Sequence, residues 1–133
     1  MDHKALVKAA RAARKHSVSP YSRFRVGAAV LTPGGKIFTG CNIENSSFGL
    51  TICAERTALF KAVSEGQRRF VALAIATDEA GFIPPCGACR QVIQDLAPGA
   101  MVILCDRAGR TKTYRAEELL PHPFGPADLS RTV

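Results

Sequence analysis

The sequence predicts an α/β protein, built as a three-layer α/β/α sandwich around a mixed sheet of roughly five strands. The chain has 133 residues, of which 47% are hydrophobic, and this is a common size for one domain with one core. After an opening helix and a hairpin, strand and helix patterns alternate along the chain, which favours a mixed sheet between helices. We therefore expect residues 1–133 to form a single domain.

The first third of the chain predicts a helix followed by two paired strands. Small or apolar residues recur at helical spacing in a helix from about residue 2 to residue 16, namely Leu6, Ala9, Ala10 and Ala13. The Ser-Pro-Tyr-Ser sequence at 19–22 ends this helix. Strands are predicted over Val26–Leu31 and Ile37–Cys41, because the Pro-Gly-Gly sequence between them is a turn signal. A polar loop then follows from Asn42 to Thr51.

The rest of the chain predicts two strand–helix alternations and a second hairpin. A continuous apolar run at 71–76 is typical of a strand buried on both faces. Gly66 ends the helix before it, and the two prolines at 84 and 85 impose an extended lead-in to the helix after it. In chain order the predicted elements are a helix at about Cys53–Ser64, a strand at Val71–Ala76, a helix at about Gly87–Leu96 and strands at Met101–Cys105 and Thr111–Arg115.

Composition argues against several classes of protein. No hydrophobic run approaches the roughly 18 residues that span a bilayer, and the first residues lack the apolar block of a signal peptide, so we expect a cytoplasmic protein with no membrane contact. The formal charge of +7 is dispersed and lacks interleaved aromatic residues, which predicts no nucleic-acid partner. An odd count of five cysteines without an export signal indicates thiols or metal ligands.

Two short motifs supply three thiolates and one carboxylate. Cys53 stands two residues before Glu55, and Cys86 and Cys89 are three residues apart. Catalytic zinc is held by three protein ligands and keeps a fourth position for water, whereas structural zinc has four protein ligands. We therefore predict one catalytic Zn²⁺ on Cys53, Cys86 and Cys89. A redox role for the Cys-x-x-Cys pair would leave Cys53 and Glu55 unused, and Cys41 as a fourth ligand would make the site structural.

Both motifs fall at predicted helix N-termini, which has an electrostatic reason. Three thiolates would leave zinc with excess negative charge, and two helix N-termini offset this charge and favour thiolate over thiol. Arg56 follows Glu55 directly, so it could add a positive charge by donating to the sulfurs. At the first helical turn, Glu55 can lie beside the metal-bound water without coordinating the metal.

The two motifs, Cys-Ala-Glu and Pro-Cys-x-x-Cys, resemble the zinc signature of the nucleobase deaminases. Over nearly the whole chain, the sequence resembles the small homotetrameric cytidine deaminases. Four segments carry the resemblance: PYSRFRVGAA at 20–29, TGCNIEN at 39–45, CAERTA at 53–58 and PCGACRQ at 85–91.

The resemblance implies hydrolytic deamination of free cytidine and 2′-deoxycytidine in pyrimidine salvage, with Glu55 as the proton-transfer group. It implies that Phe24 covers the base, that the Ala54 amide contacts the pyrimidine O2, and that Asn42 and Glu44 hold the ribose 3′-hydroxyl. A homotetramer with shared active sites is also implied, with Phe48 and Phe124 as candidates for reaching a neighbouring site. Phe48 is a departure, because many members of the family have Tyr there.

Three other functions are compatible with parts of this pattern. A blasticidin-type deaminase would act on another cytosine-containing molecule, but the Asn-x-Glu motif at 42–44 is not typical of that group. A nucleic-acid-editing deaminase would be blocked by a clamp on a free 3′-hydroxyl. A non-catalytic zinc module would need a fourth protein ligand.

Overall fold

A computed structural model describes residues 3–129, which form a five-stranded sheet with the strand order β2-β1-β3-β4-β5. β1 pairs antiparallel with both β2 and β3, β3 pairs parallel with β4, and β4 pairs antiparallel with β5. The sheet is therefore mixed, as predicted. The strands are β1 (Val26–Leu31), β2 (Ile37–Cys41), β3 (Ala72–Thr77), β4 (Met101–Cys105) and β5 (Thr111–Arg115).

Three helices of ten or eleven residues accompany the sheet: α1 (Lys4–Ala13), α2 (Ala54–Ser64) and α3 (Gly87–Leu96). The predicted first helix is shorter than expected, because its last turn tightens into a 3-10 helix at Arg14–His16; residue 2 lies outside the described residues. Cys53 precedes α2 as an extended N-cap residue and is not helical.

Two further short helices were not predicted, α4 (Ala116–Leu119) and α5 (Pro126–Leu129). At the start of α4, the backbone N–H of Arg115 donates to the Glu118 carboxylate at 2.8 Å, which is one half of a capping box. The sequence signal was weak, since a capping box usually begins with Ser or Thr.

Helices cover both faces of the sheet. On one face, Leu6 and Ala10 of α1 pack with Leu31 and Ile103. On the other face, the apolar residues of α2 and α3 join a larger cluster with β1, β3 and β4. Every residue of β1 and β3 is buried, as expected for strands covered on both sides. The three predicted layers are therefore present.

Gly40 allows α2 to lie directly on the edge strand β2. A Cβ atom at this position would come within 2.4 Å of the Ala58 nitrogen and 2.7 Å of the Ala54 carbonyl oxygen. These are backbone atoms of the first turns of α2, which cannot move aside independently of the helix. The glycine thus fixes how closely the start of α2 approaches the sheet.

Strand directions bring the starts of two helices to the same edge of the sheet, by which we mean the side formed by the C-terminal ends of β2, β3 and β4. Because β2 and β3 both run antiparallel to β1, they are parallel to each other and to β4. The segment after β2 leads into α2 and the segment after β3 leads into α3, so both helices begin near the edge where these strands end. β1 runs in the opposite direction and begins at that edge. Between residues 3 and 129, no helix has the length and apolar character to cross a membrane.

Candidate metal centre and adjoining pocket

Three cysteines converge at the edge where α2 and α3 begin. Cys53 is the N-cap residue of α2, Cys86 is the N-cap residue of α3, and Cys89 lies in the first turn of α3. Their sulfur atoms all lie within 4.8 Å of one another, and the Sγ atoms of Cys53 and Cys86 are 3.7 Å apart. A tetrahedral zinc with Zn–S bonds of about 2.3 Å needs sulfurs about 3.8 Å apart, so this donor set fits zinc.

Within residues 3–129, these three cysteines are the only cluster of potential metal ligands, and neither Cys41 nor Cys105 belongs to it. Cys41 is half-buried at the end of β2, and burial raises the pKa of its thiol. Cys105 is buried at the end of β4 in the apolar cluster under α1. The described residues thus supply three cysteine ligands, and the fourth position of a tetrahedral metal would remain open.

The surroundings of Cys53 favour its thiolate even without a metal. A hydrogen bond with Cys89 lowers the pKa of Cys53 to about 5, with further help from Arg56, against the opposing effect of burial. Arg56 Nη2 donates to Cys53 Sγ at 3.4 Å. Donation to this thiolate and burial correspondingly raise the pKa of Cys89. The guanidinium therefore lies against the sulfur cluster.

Glu55 lies in the first turn of α2 beside the cluster, but it is not one of the clustered ligands. Only 4% of the residue is exposed. Burial is the main cause that raises the pKa of Glu55 to about 7, and the negative charge of Cys53 acts in the same direction. A carboxyl group that titrates near neutral pH can both accept and donate a proton under working conditions.

Asn42 and Glu44 follow the end of β2 and both contact the loop that leads into β1. The Asn42 side chain accepts from the Val26 backbone N–H at 2.9 Å and donates to the Phe24 carbonyl at 2.7 Å. Glu44 accepts from the backbone N–H groups of Tyr21 and Ser22 at 2.9 and 3.2 Å. The structure therefore brings Asn42, Glu44 and Phe24 to one loop.

A cavity of about 430 Å³ adjoins this loop and is lined by Tyr21, Ser22, Glu44, Phe48 and Thr51. The rings of Tyr21 and Phe48 meet edge to face, with centroids 5.4 Å apart. Tyr21 and Ser22 were not predicted as site residues, although both lie in the segment at 20–29 that carries the family resemblance.

The remaining predicted site residues differ in burial. Ala54 is fully buried as the first residue of α2, and Phe24 is half-buried against the core cluster that contains Ala54. Phe48 and Phe124 are 70% and 57% exposed in the single chain. Phe124 lies next to α3, since its carbonyl accepts a hydrogen bond of 2.6 Å from Gln91 Nε2.

Comparisons with known proteins identify relatives of this chain. The family described as "Cytidine and deoxycytidylate deaminase zinc-binding region" matches residues 1–105. A curated cytidine deaminase of Halalkalibacterium halodurans is 50% identical over 98% of this chain and 99% of its own length. A probable cytidine deaminase of Dictyostelium discoideum is 48% identical over 92% of this chain and 84% of its own length.

Solved structures give the same result at the level of the fold. The crystal structure of a cytidine deaminase from Burkholderia pseudomallei superimposes with a TM-score of 0.90 at 49% identity, covering 93% of this chain and 100% of that one. The enzyme from Mycobacterium tuberculosis superimposes with a TM-score of 0.81 at 38% identity, covering 94% of this chain and 98% of that one. Both likenesses extend over nearly the entire length of either chain.

Proposed function

The chain belongs to the cytidine and deoxycytidylate deaminase family, and from this we propose that it hydrolyses free cytidine and 2′-deoxycytidine. The products are uridine and 2′-deoxyuridine, with one ammonia released for each water consumed. The observation that supports this most is the placement of a buried, neutral-titrating Glu55 beside three clustered cysteines. This arrangement combines a place for a metal with a proton-transfer group.

We assign Cys53, Cys86 and Cys89 as the ligands of one Zn²⁺ in each chain. When bound, zinc supplies the Lewis acidity that lets a water molecule attack at neutral pH. Arg56 would hold the Cys53 thiolate in place through its hydrogen bond. The helix N-termini at Cys53 and Cys86 offset the charge of the thiolates.

Glu55 would carry protons between the attacking water and the pyrimidine ring. Its carboxylate takes one proton from the attacking water and passes it to N3 as the water oxygen bonds to C4. It then takes the second proton from that oxygen and delivers it to the amine, which leaves as ammonia when the C4–N bond breaks. A single group can serve as both acid and base because burial holds its pKa at about 7. The low exposure of the side chain also keeps bulk water from competing for these protons.

The substrate would bind along the loop between Tyr21 and Arg25. We place the ribose 3′-hydroxyl against Asn42 and Glu44, the base under Phe24, and the pyrimidine O2 at the Ala54 amide. Asn42 and Glu44 are supported in this role by their common attachment to the same loop.

We further propose a homotetramer in which neighbouring chains complete each active site. Phe48 and Phe124 support this assembly, since large aromatic side chains with more than half of their surface exposed are typical of interface anchors. We place the enzyme in the cytoplasm, where free thiols remain reduced, and in pyrimidine salvage. Sedimentation velocity tests the tetramer, and a sedimentation coefficient of a monomer at micromolar concentration would contradict it.

The decisive experiment is an ultraviolet assay with the purified protein on cytidine and 2′-deoxycytidine. We expect turnover of both, loss of activity with a zinc chelator and recovery on addition of Zn²⁺. A deoxycytidine-containing oligonucleotide serves as the control and should not react. Absence of turnover on either nucleoside by protein that holds one zinc per chain would refute the proposed function.

A further inference from the structure

The loop before β1 turns sharply at Arg23, which has a left-handed backbone with φ of 58°. This conformation is uncommon for a residue with a side chain. The turn is closed by the Arg23 N–H, which donates to the Ser19 carbonyl at 2.9 Å. As a result, the backbone N–H groups of Tyr21 and Ser22 point to a common position on the side of the loop that faces Glu44.

The Glu44 carboxylate occupies that position and is bound through both oxygens. Its Oε1 atom accepts from the Tyr21 and Ser22 backbone N–H groups at 2.9 and 3.2 Å. Its Oε2 atom accepts from the Ser22 hydroxyl. Three donors from two consecutive residues thus fix the plane of the carboxylate, while the same side chain lines the cavity that also contains Phe48 and Thr51.

The Ser22 hydroxyl has a second hydrogen-bond partner besides Glu44. Its oxygen accepts a hydrogen bond of 3.0 Å from the backbone N–H of Phe24. A hydroxyl is one of the few side-chain groups that can donate and accept in this way. One atom therefore connects Glu44, assigned to the ribose, with Phe24, assigned to the base.

We propose that Ser22 is a positioning residue, whose hydroxyl orients the Glu44 carboxylate for the 3′-hydroxyl of the nucleoside. This rests on the proposed function, because Glu44 receives the ribose only if a nucleoside is the substrate. Ser22 itself does not take part in the chemical step. Its effect belongs to substrate binding, and specifically to the part of binding that involves the 3′-hydroxyl.

The charge state of Glu44 agrees with this arrangement. The hydrogen bond from Ser22 is the main cause that lowers the pKa of Glu44; burial opposes it, and the two backbone N–H groups each add a smaller lowering effect. An ionised carboxylate accepts hydrogen bonds only, so its free lone pairs on the cavity side match a donating ribose hydroxyl. Without the Ser22 hydroxyl, Glu44 would keep only the two backbone donors to Oε1. The plane of the carboxylate would then no longer be fixed.

The test compares Ser22→Ala and Ser22→Thr with the wild-type holoenzyme on cytidine and on 3′-deoxycytidine, which lacks only the 3′-hydroxyl. For Ser22→Ala we expect the KM for cytidine to rise about tenfold, the usual effect of losing one hydrogen bond to a charged group, with kcat within about twofold. The KM for 3′-deoxycytidine should change by less than about twofold. Ser22→Thr, which keeps the hydroxyl, should restore the wild-type KM for cytidine.

The matched control is Ser64→Ala, at the far end of α2, where the hydroxyl donates only to the Lys61 carbonyl at 2.7 Å. If Ser22→Ala does not fold, Ser22→Cys carries the same comparison, because a thiol of similar shape is a weak donor. An unchanged KM for cytidine in the folded variant would overturn the inference. An equal rise for both substrates would also overturn it, since that result indicates a general loop role. Failure of the wild type on cytidine would instead refute the proposed function.

Discussion

Replacing Glu55 with Gln tests the proposed proton transfer with almost no change in shape. The side chain is 4% exposed and packs in the first turn of α2, so an isosteric amide should keep the fold and the three cysteine ligands. The amide cannot accept and release the protons of the reaction. We expect kcat to fall by about 10²- to 10⁴-fold, the usual contribution of a positioned acid–base group, while the zinc content stays at that of the wild type.

The same substitution has a second consequence for the metal-free protein, and its size follows from the burial of Glu55. Burial raises the pKa of this carboxyl from 4.5 to about 7. A raised carboxyl pKa means that the folded state holds its proton more tightly, so stability is full below the unfolded pKa and falls as pH rises through the folded pKa. At about 1.4 kcal/mol for each pKa unit, ionising Glu55 costs the metal-free protein about 3 kcal/mol by pH 8.

Chelator-treated wild type and Glu55→Gln should therefore be compared by urea unfolding at pH 5 and pH 8. Near pH 5 we expect similar free energies of unfolding, and near pH 8 we expect the variant to be the more stable by about 3 kcal/mol or somewhat less. Activity is measured in parallel on the zinc-loaded proteins. Near-normal kcat in the zinc-loaded variant would refute the mechanism, and an unchanged stability difference between the two pH values would refute the claim that burial controls this carboxyl.

Three further predictions test the metal centre and its support. Arg56→Ala should weaken zinc affinity by about 10- to 100-fold, because the loss of a group that orients a metal ligand usually has an effect of this size. Competition with a chromophoric chelator measures the affinity, and unchanged affinity would contradict the role of the guanidinium. Gly40→Ala should lower the free energy of unfolding by at least about 1–3 kcal/mol through overpacking, whereas Gly81→Ala, with open space around the added Cβ atom, should stay near wild type. Cys41→Ser should retain one zinc per chain by atomic absorption, whereas Cys86→Ser should lose it; zinc loss in Cys41→Ser would restore the structural-zinc alternative.

Element types could be predicted from the sequence because their signals are local. Hydrophobic periodicity and the Pro and Gly turn signals located all five strands and α1 to α3, with end points that differ from the structure by a few residues at most. The strand order could not be predicted in this way. That β1 lies between β2 and β3 depends on pairing between distant segments, and one-sequence patterns contain no information about distant partners.

The residues of the candidate site also divide into those that local sequence signals identify and those that depend on distant contacts. Cys53, Cys86, Cys89 and Glu55 could be singled out because their side chains carry the chemistry and their spacing is distinctive. Ser22 could not, because its proposed contribution is a hydrogen bond to a residue 22 positions away in a loop whose shape depends on one left-handed residue. Serine is common in turns, so even within the segment at 20–29 its presence did not indicate a positioning role.

The position of the metal centre follows from the strand order more than from the motifs themselves. Helices on one face of a sheet pack about 8–10 Å apart, which is about twice the 4.8 Å spacing between strands, so two strands separated by one other strand lie about as far apart as two packed helices. β2 and β3 are separated by β1, and α2 and α3, which follow them, therefore have room to lie side by side and begin at the same edge. The antiparallel strand thus sets the distance between two helix N-termini that three cysteines then close around a metal ion. The loop that precedes this strand, with Ser22 and Phe24, reaches the same edge for the same reason.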